Sequence, residues 1–351
     1  MLLIVTLKFL MYDRDMLENK KILITGSNGF IGSYLVARLL NDYENIEIIG
    51  VDNMNDYYDV RLKKQRLEDL ENLKKNYTFI EGDISDKQFI DELFEKNHFD
   101  IVVNLAAQAG VRYSLENPEA YIKANMIGFF NILEAVRNHP VEHLIYASSS
   151  SVYGGNEKVP FSTEDKVDHP VSLYAATKKS NELMAYTYTH LFGMKTTGLR
   201  FFTVYGPKGR PDMAYFSFTN RLLNNEKIKI FNYGKCERDF TYVDDIVEGI
   251  TRVMDQGPKE DYNLYNIGNS HPENLMDFVY TLADRLIANG LLPEDFNIDE
   301  HLELVEMQPG DVPVTYADTT PLMNDYGFKP ETPLKEGLDR FCKWYKEFYK
   351  L

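Results

Sequence analysis

The chain has 351 residues, of which 44% are apolar and 26% charged, a balance that excludes disorder, collagen and a disulfide scaffold. Lys and Arg total 38 against 54 Asp and Glu, a net charge of −16. Such a surface repels a phosphate backbone and argues against nucleic acid as a partner.

Met1–Met11 (MLLIVTLKFLM) is almost wholly apolar. It is too short to span a bilayer, which takes about 20 residues. It also lacks the basic start and small-residue cleavage site of a secretory signal. It reads as an added strand or an upstream start within an extension over residues 1–20, and no stable membrane insertion is expected. From there short apolar runs alternate with helical stretches. Lys21–Thr25 (KILIT) is a first strand and Phe30–Leu40 a first helix. Ile46–Val51, Tyr77–Glu81 and Asp100–Leu105 follow as strands, with helices over Val60–Leu73 and Lys87–Lys96 between them. Glu119–Arg137 reads as one helix, Glu142–Ala147 as a strand, Leu173–Leu191 as a long helix and Lys195–Phe201 as a strand.

This alternation predicts an α/β fold, a Rossmann-type doubly wound parallel sheet with helices on both faces. Runs such as IVVNLAA, without polar alternation, suit strands buried on both sides. After Phe202, Gly, Pro and aromatic residues become dense and the pattern turns irregular. The predicted organisation is a doubly wound domain over 21–202, to which segments around 238–268 return. A smaller mixed α/β substrate region covers 203–333, and an amphipathic helix closes the chain over 334–351.

Thr25–Gly26–Ser27–Asn28–Gly29–Phe30–Ile31–Gly32 joins the first strand to the first helix. Its glycines let the backbone turn sharply and approach a pyrophosphate at the helix N-terminus. Asp52 ends the second strand, where a carboxylate accepts hydrogen bonds from an adenosine ribose and repels a 2′-phosphate. This favours NAD over NADP, with a loop cap as the competing reading of Asp52. Candidate cofactor contacts are Gly26, Asn28, Gly29, Phe30, Ile31, Gly32, Asp52 and Asn53. Asp83, Ile84, Leu105, Ala106 and Ala107 join them from the carboxyl ends of later strands, the edge at which an open sheet holds its ligand.

Tyr174 and Lys178 stand four apart on a helix, so both point the same way. The spacing alone carries little. Its position after a strand ending in Ala147–Ser148–Ser149–Ser150–Ser151–Val152–Tyr153–Gly154 carries more. A nearby ammonium lowers a phenol from its ordinary value of about 10, making Tyr174 a usable base near neutral pH. A serine hydroxyl then orients the substrate hydroxyl. The competing reading is an exposed helix pair beside a serine-rich loop.

Gly26–Gly32, Asn104–Gln108, the Ser-Val-Tyr-Gly stretch and Tyr174/Lys178 together resemble the extended short-chain dehydrogenase/reductase family, in its nucleotide-sugar branch. The resemblance runs from Lys21 to the C-terminus. Finer stretches, among them Asp52–Asp59, Ala106–Ser114, Gly209–Ala214, Arg238–Tyr242 and Gln308–Val312, resemble the UDP-glucuronate 4-epimerase group. The resemblance implies NAD as cofactor, a UDP-sugar substrate and a catalytic set of Ser149, Tyr174 and Lys178. A one-residue shift would place Ser148 or Ser150 in the serine role. Dehydratases and decarboxylases of this branch carry an acidic residue beside that serine, whereas Ser150 and Ser151 stand here. That leaves epimerisation, in which hydride leaves C4 and returns to the other face of a 4-keto sugar.

A 4-keto hexuronate is a β-keto acid and loses CO₂ unless its carboxylate is held by paired donors. Ser150, Ser151, Thr203 and Arg210 match the pattern for that task. Arg210 otherwise clamps a phosphate or is a plain loop charge. Arg238 is implied as a phosphate contact, with Arg112 replacing an arginine that galactose epimerases carry where Gln308 stands. Asp311 completes the substrate set, and Phe231 and Tyr233 lie on the uracil or in the core. The resemblance also implies a cytoplasmic homodimer joined through Glu119–Arg137 and Leu173–Leu191. The alternatives are a UDP-glucose or UDP-N-acetylhexosamine 4-epimerase, a UDP-glucuronate decarboxylase, or a non-catalytic NAD-binding scaffold. No metal site is expected, since Pro140 separates His139 from His143 and Cys236 and Cys342 fit no ligand spacing.

Overall fold

The computed structural model describes residues 16–307 and 313–351. Met1–Met11, Gln308 and Asp311 lie outside the described residues. The chain enters β1 (Lys21–Thr25), turns through the glycines and continues as α1 (Phe30–Asp42). β2 (Glu47–Asp52), α2 (Val60–Glu71), β3 (Tyr77–Glu81), α3 (Lys87–Lys96) and β4 (Ile101–Asn104) repeat the alternation. Two short helices, α4 (Tyr113–Glu116) and α5 (Pro118–Tyr121), lead into a π-helical turn over Ile122–Gly128 and α6 (Phe129–Asn138). β5 (His143–Ser149), α7 (Leu173–Phe192) and β6 (Thr196–Phe201) complete the first part.

β7 (Thr203–Tyr205), α8 (Ala214–Leu223), β8 (Ile228–Ile230) and β9 (Glu237–Tyr242) follow. Then come α9 (Val243–Gln256), β10 (Tyr262–Ile267), β11 (Pro272–Asn274) and α10 (Leu275–Ala288). β12 (Leu302–Leu304), β13 (Val314–Thr315), α11 (Thr320–Tyr326) and α12 (Leu334–Tyr349) end the chain.

Seven strands form one parallel sheet in the order β10-β6-β5-β4-β1-β2-β3. Successive side chains of a strand face opposite ways, so each strand feeds two cores. Ile22, Ile24, Ile101 and Val103 face one core with Leu35 and Leu39 of α1. Leu23, Val102 and Leu144 face the other with Phe94 of α3 and Ile132 of α6. Each fully buried side chain of this size contributes about 1.5–3 kcal/mol relative to exposure. This accounts for the apolar runs, because no strand face is left for polar residues. The strand order reverses between β1 and β4, which opens a crevice at their carboxyl ends.

Two expectations change. Glu119–Arg137 is not one helix, because the segment divides into α5, the π turn and α6. Asn125 is the cause. Its side chain leaves the helix surface to accept from the Gln108 N–H at 2.8 Å and to donate to the Gln108 carbonyl at 3.0 Å. Its own carbonyl is taken by the Asn181 amide at 2.7 Å. A widened turn is the local backbone answer to such competing bonds.

The return to the large sheet, expected from residue 238, begins at Val243. β9 instead centres a small sheet with β7, β11 and β13, while α9 packs on α1 and β10 joins β6. Asp239 ties this small sheet together. It is fully buried and accepts from the backbone N–H groups of Asn269, Ser270 and Ala317 at 2.6, 2.9 and 3.0 Å. That anchors three segments beside Arg238.

Candidate active site

The crevice is built first by the glycine turn. Gly26 has φ +71°, and a Cβ there would lie 2.8 Å from the Ala106 nitrogen, so only glycine lets β1 and the end of β4 meet. α1 begins after Gly29 with no side-chain cap, leaving its first N–H groups to a ligand. An uncapped helix N-terminus behind a glycine cradle suits a pyrophosphate. Gly26, Gly29, Phe30, Ile31 and Gly32 all line the cleft. Asn28 does not, for it is fully buried behind the turn. Its N–H donates to Asp52 Oδ2 at 3.2 Å.

Asp52 and Asn53 line the cleft at the end of β2. Asp52 also accepts from the Met54 N–H at 2.9 Å and pairs with Lys63 at 3.2 Å. Asp83 and Ile84 form the next wall, and Leu105, Ala106 and Ala107 the floor beside it. Burial works against the Asp83 carboxylate, yet hydrogen bonds from Ser85 and the charge of Lys123 hold it below the ordinary range. A dinucleotide with its ribose on Asp52 and its pyrophosphate at Gly29 fits these groups.

At the other end stand Ser149, Tyr174 and Lys178. Ser149 is the last residue of β5 and accepts from the Ser151 N–H at 3.1 Å. Ser172 caps α7 by accepting from the Ala175 N–H at 3.1 Å, which starts the helix just before Tyr174. Lys178 Nζ donates to the Ala147 carbonyl at 2.9 Å, and burial pushes its ammonium down to about 8. Burial raises the Tyr174 phenol, while a hydrogen bond with Ser149 and the charge of Arg210 draw it back down. Arg210 lines the same wall as Tyr174, and its charge favours the phenolate. Lys178 is turned toward the strand end by Ala147.

A second lobe continues from there. Ser150, Ser151, Thr203 and Arg238 line it, with Val111, Phe161 and Thr315 among the other walls. Arg210 lines the first lobe with Tyr174. Ser149–Ser151 thus span the junction of the two lobes. Arg112 and Phe231 stand off both, with the guanidinium 5.2 Å from the ring centroid. Asp311 lies outside the described residues.

Three contributions escaped sequence reasoning. Arg66 of α2 is 1% exposed and donates to the Asn28 carbonyl at 3.0 Å, the Lys208 carbonyl at 3.2 Å and the Tyr58 hydroxyl at 2.7 Å. It joins the glycine turn to the loop carrying Arg210. Lys63 on the same helix meets Asp52. The signal was present, since Leu62, Arg66 and Leu70 follow one another at helical spacing and mark a buried face. Glu182, one turn beyond Lys178, pairs with Arg200 of β6 at 2.8 and 2.9 Å and accepts from the Ser148 hydroxyl at 2.7 Å. That buried pair locks β5, β6 and α7 beneath the catalytic groups.

Among the described residues no group of three or more His, Cys, Asp or Glu could hold a metal ion, and no helix is long and apolar enough to cross a membrane.

Residues 22–268 match the model of the NAD dependent epimerase/dehydratase family. The chain is similar to UDP-glucuronate 4-epimerase 2 of Arabidopsis thaliana, 43% identical over 345 residues that cover 94% of this chain and 76% of the relative. Its fold is similar to that of the UDP-glucuronic acid 4-epimerase of Bacillus cereus, solved with UDP-glucuronic acid and NAD. The TM-score is 0.83 and the identity 30%, over 94% of this chain and all of that one. The UDP-glucose 4-epimerase of Thermotoga maritima, solved with UDP-glucose, gives 0.80 at 30% identity, over 94% and 99%. The cofactor is NAD, matched by the glycine cradle and Asp52. The protein belongs to the NAD-dependent epimerase/dehydratase family, the extended short-chain dehydrogenases/reductases.

Proposed function

We propose that the protein interconverts UDP-glucuronate and UDP-galacturonate by inverting C4. The observation that carries this reading is Arg210 in the wall that also holds Tyr174 and Ser149. A cation at the reacting end of the cleft suits a sugar bearing a carboxylate. The likeness to the Arabidopsis and Bacillus enzymes supports the same substrate. The Thermotoga likeness is nearly as close in backbone, so the weight falls on the side chains around the sugar.

NAD held by the glycine turn, Asp52 and Asn53 would supply the hydride acceptor and donor that inversion at C4 needs. The chain's own residues do the rest. Tyr174 as phenolate takes the proton of the 4-hydroxyl and gives it back after the sugar turns. Ser149 orients that hydroxyl, and Lys178 holds positive charge at the cofactor end. Arg210, Ser150, Ser151 and Thr203 hold the carboxylate so that the 4-keto acid keeps its CO₂. No acidic side chain stands beside Ser149 in sequence to protonate a leaving hydroxyl, which disfavours dehydration.

The test incubates the purified protein with UDP-glucuronate, UDP-galacturonate, UDP-glucose and UDP-galactose in turn and reads products by NMR. Interconversion of the two acidic sugars is expected. Turnover of UDP-galactose alone would sink the substrate assignment, and release of a UDP-pentose would indicate a decarboxylase.

A further inference from the structure

Arg210 does not stand alone in the cleft. Its Nε–H and one terminal nitrogen donate to the two oxygens of Asp212 at 3.0 and 2.6 Å. Tyr57 comes in from the loop after β2 and donates to Asp212 Oδ2 at 3.4 Å. Gly110, with φ +101°, leaves room for the meeting. A Cβ there would lie 2.7 Å from the Tyr57 hydroxyl and 3.8 Å from Arg210. Three segments far apart in sequence converge on one guanidinium, which stays 21% exposed to the cleft.

A cleft that selects an acidic sugar through an arginine therefore already contains a carboxylate on that arginine. Opposite charges this close cancel much of each other's field at a third site. We propose that Asp212, seated by Tyr57, is the specificity-determining counter-ion of the sugar site. It sets how much of Arg210's charge reaches the sugar carboxylate and the Tyr174 hydroxyl. The sugar half of this statement rests on the hexuronate reading above, and the Tyr174 half does not.

The groups facing Arg210 are Asp212, Tyr57, Tyr121, Tyr174 and Tyr215. Those facing Tyr174 are Ser149, Arg210 and the edge-on ring of Tyr121, with Lys178 one turn further along α7. Asp212 is the carboxylate in this set. Burial opposes its ionisation, but Arg210 holds it below the ordinary range, so it is charged at neutral pH. Removing that charge exposes the phenol to the full guanidinium, which favours phenolate and lowers the pH at which the base becomes active.

The test compares Asp212→Asn, which keeps one acceptor but removes the charge, with Asp212→Glu, which keeps it. The pH profile of kcat/KM is measured on UDP-glucuronate and on UDP-galactose, with NAD content and melting temperature confirming folding. In Asp212→Asn the acid limb moves about half to one pH unit lower on whichever substrate turns over. KM for UDP-glucuronate falls several-fold relative to that for UDP-galactose. Asp212→Glu stays near wild type on both measures. An acid limb that does not move in the Asn variant, or Asn and Glu variants that shift alike, overturns the proposal. Wild-type enzyme that turns over UDP-galactose alone defeats the hexuronate reading instead, and the limb read on that sugar still decides the role of Asp212.

Discussion

Burial acts on both Tyr174 and Lys178, in opposite directions. The phenol is raised by burial and drawn back by Ser149 and Arg210, while the ammonium is pushed down to about 8 by burial. Tyr174→Phe is expected to keep NAD, retained on purification, and to lose turnover by about 10²–10⁴-fold, the usual worth of a positioned base. Wild-type turnover in that variant would refute the assignment. Lys178 gives a second expectation with a definite sign. Raising the pH through about 8 discharges it, so kcat/KM falls on the alkaline side there. Lys178→Arg stays charged over the whole accessible range. Its residual activity therefore lacks that limb, and a limb still found near pH 8 would belong to another group. Stability follows the same shift. The unfolded lysine keeps its proton to about 10.5, so the group disfavours folding below about 8 and the penalty is relieved as pH rises from there. At this scale the sequence pointed to Ser149, Tyr174 and Lys178 because the serine run closes a strand and the Tyr–Lys pair shares one helix face, and the fold brings the three into one cleft. The sequence did not single out Asp212, because the ion pair with Arg210 and the bond from Tyr57, 155 positions away, are set by the fold.

Among the elements α2 has the most unexpected role. Its pattern reads as a charged amphipathic helix, and the face it buries takes in Lys63 and Arg66 along with Leu62 and Leu70. Arg66 holds the carbonyls of Asn28 and Lys208, so one side chain braces both the cofactor turn and the loop that presents Arg210. Arg66→Met removes those donors and leaves the carbonyls to find water. NAD retention should fall and KM for the UDP-sugar should rise together, with a stability loss of about 2–4 kcal/mol read by denaturant unfolding. A change in only one of the two ligands would show that Arg66 serves only that side. The strands were legible because parallel strands buried on both faces have no polar alternation, and the apolar runs appear as such. The π turn was not, because it follows from Asn125 bonding to Gln108, 17 positions away, and a tertiary contact of that kind leaves the helical pattern intact.

Across the whole molecule the charge and the apolar surface make opposite demands. Leu183, Tyr186 and Phe192 of α7 are 57, 54 and 43% exposed, and Ile122, Ile127 and Phe130 on the adjoining π turn and α6 are 43, 47 and 42% exposed. Exposed apolar side chains clustered on neighbouring helices mark a surface that associates. These are the two stretches through which the family resemblance implies a homodimer. The chain also carries 54 acidic against 38 basic residues, so two copies repel at a distance. Association driven by apolar burial against like charge has a recognisable salt dependence. Added salt screens the repulsion and leaves the apolar gain in place, whereas an interface of ion pairs weakens. The expected outcome is a dimer by light scattering that holds or tightens between low and high salt. Leu183→Glu puts a carboxylate into the patch on each copy, and that variant should run as a monomer with its NAD retained. A wild-type chain that is monomeric at every salt overturns the dimer, and a Leu183→Glu variant that still dimerises places the contact elsewhere on the molecule.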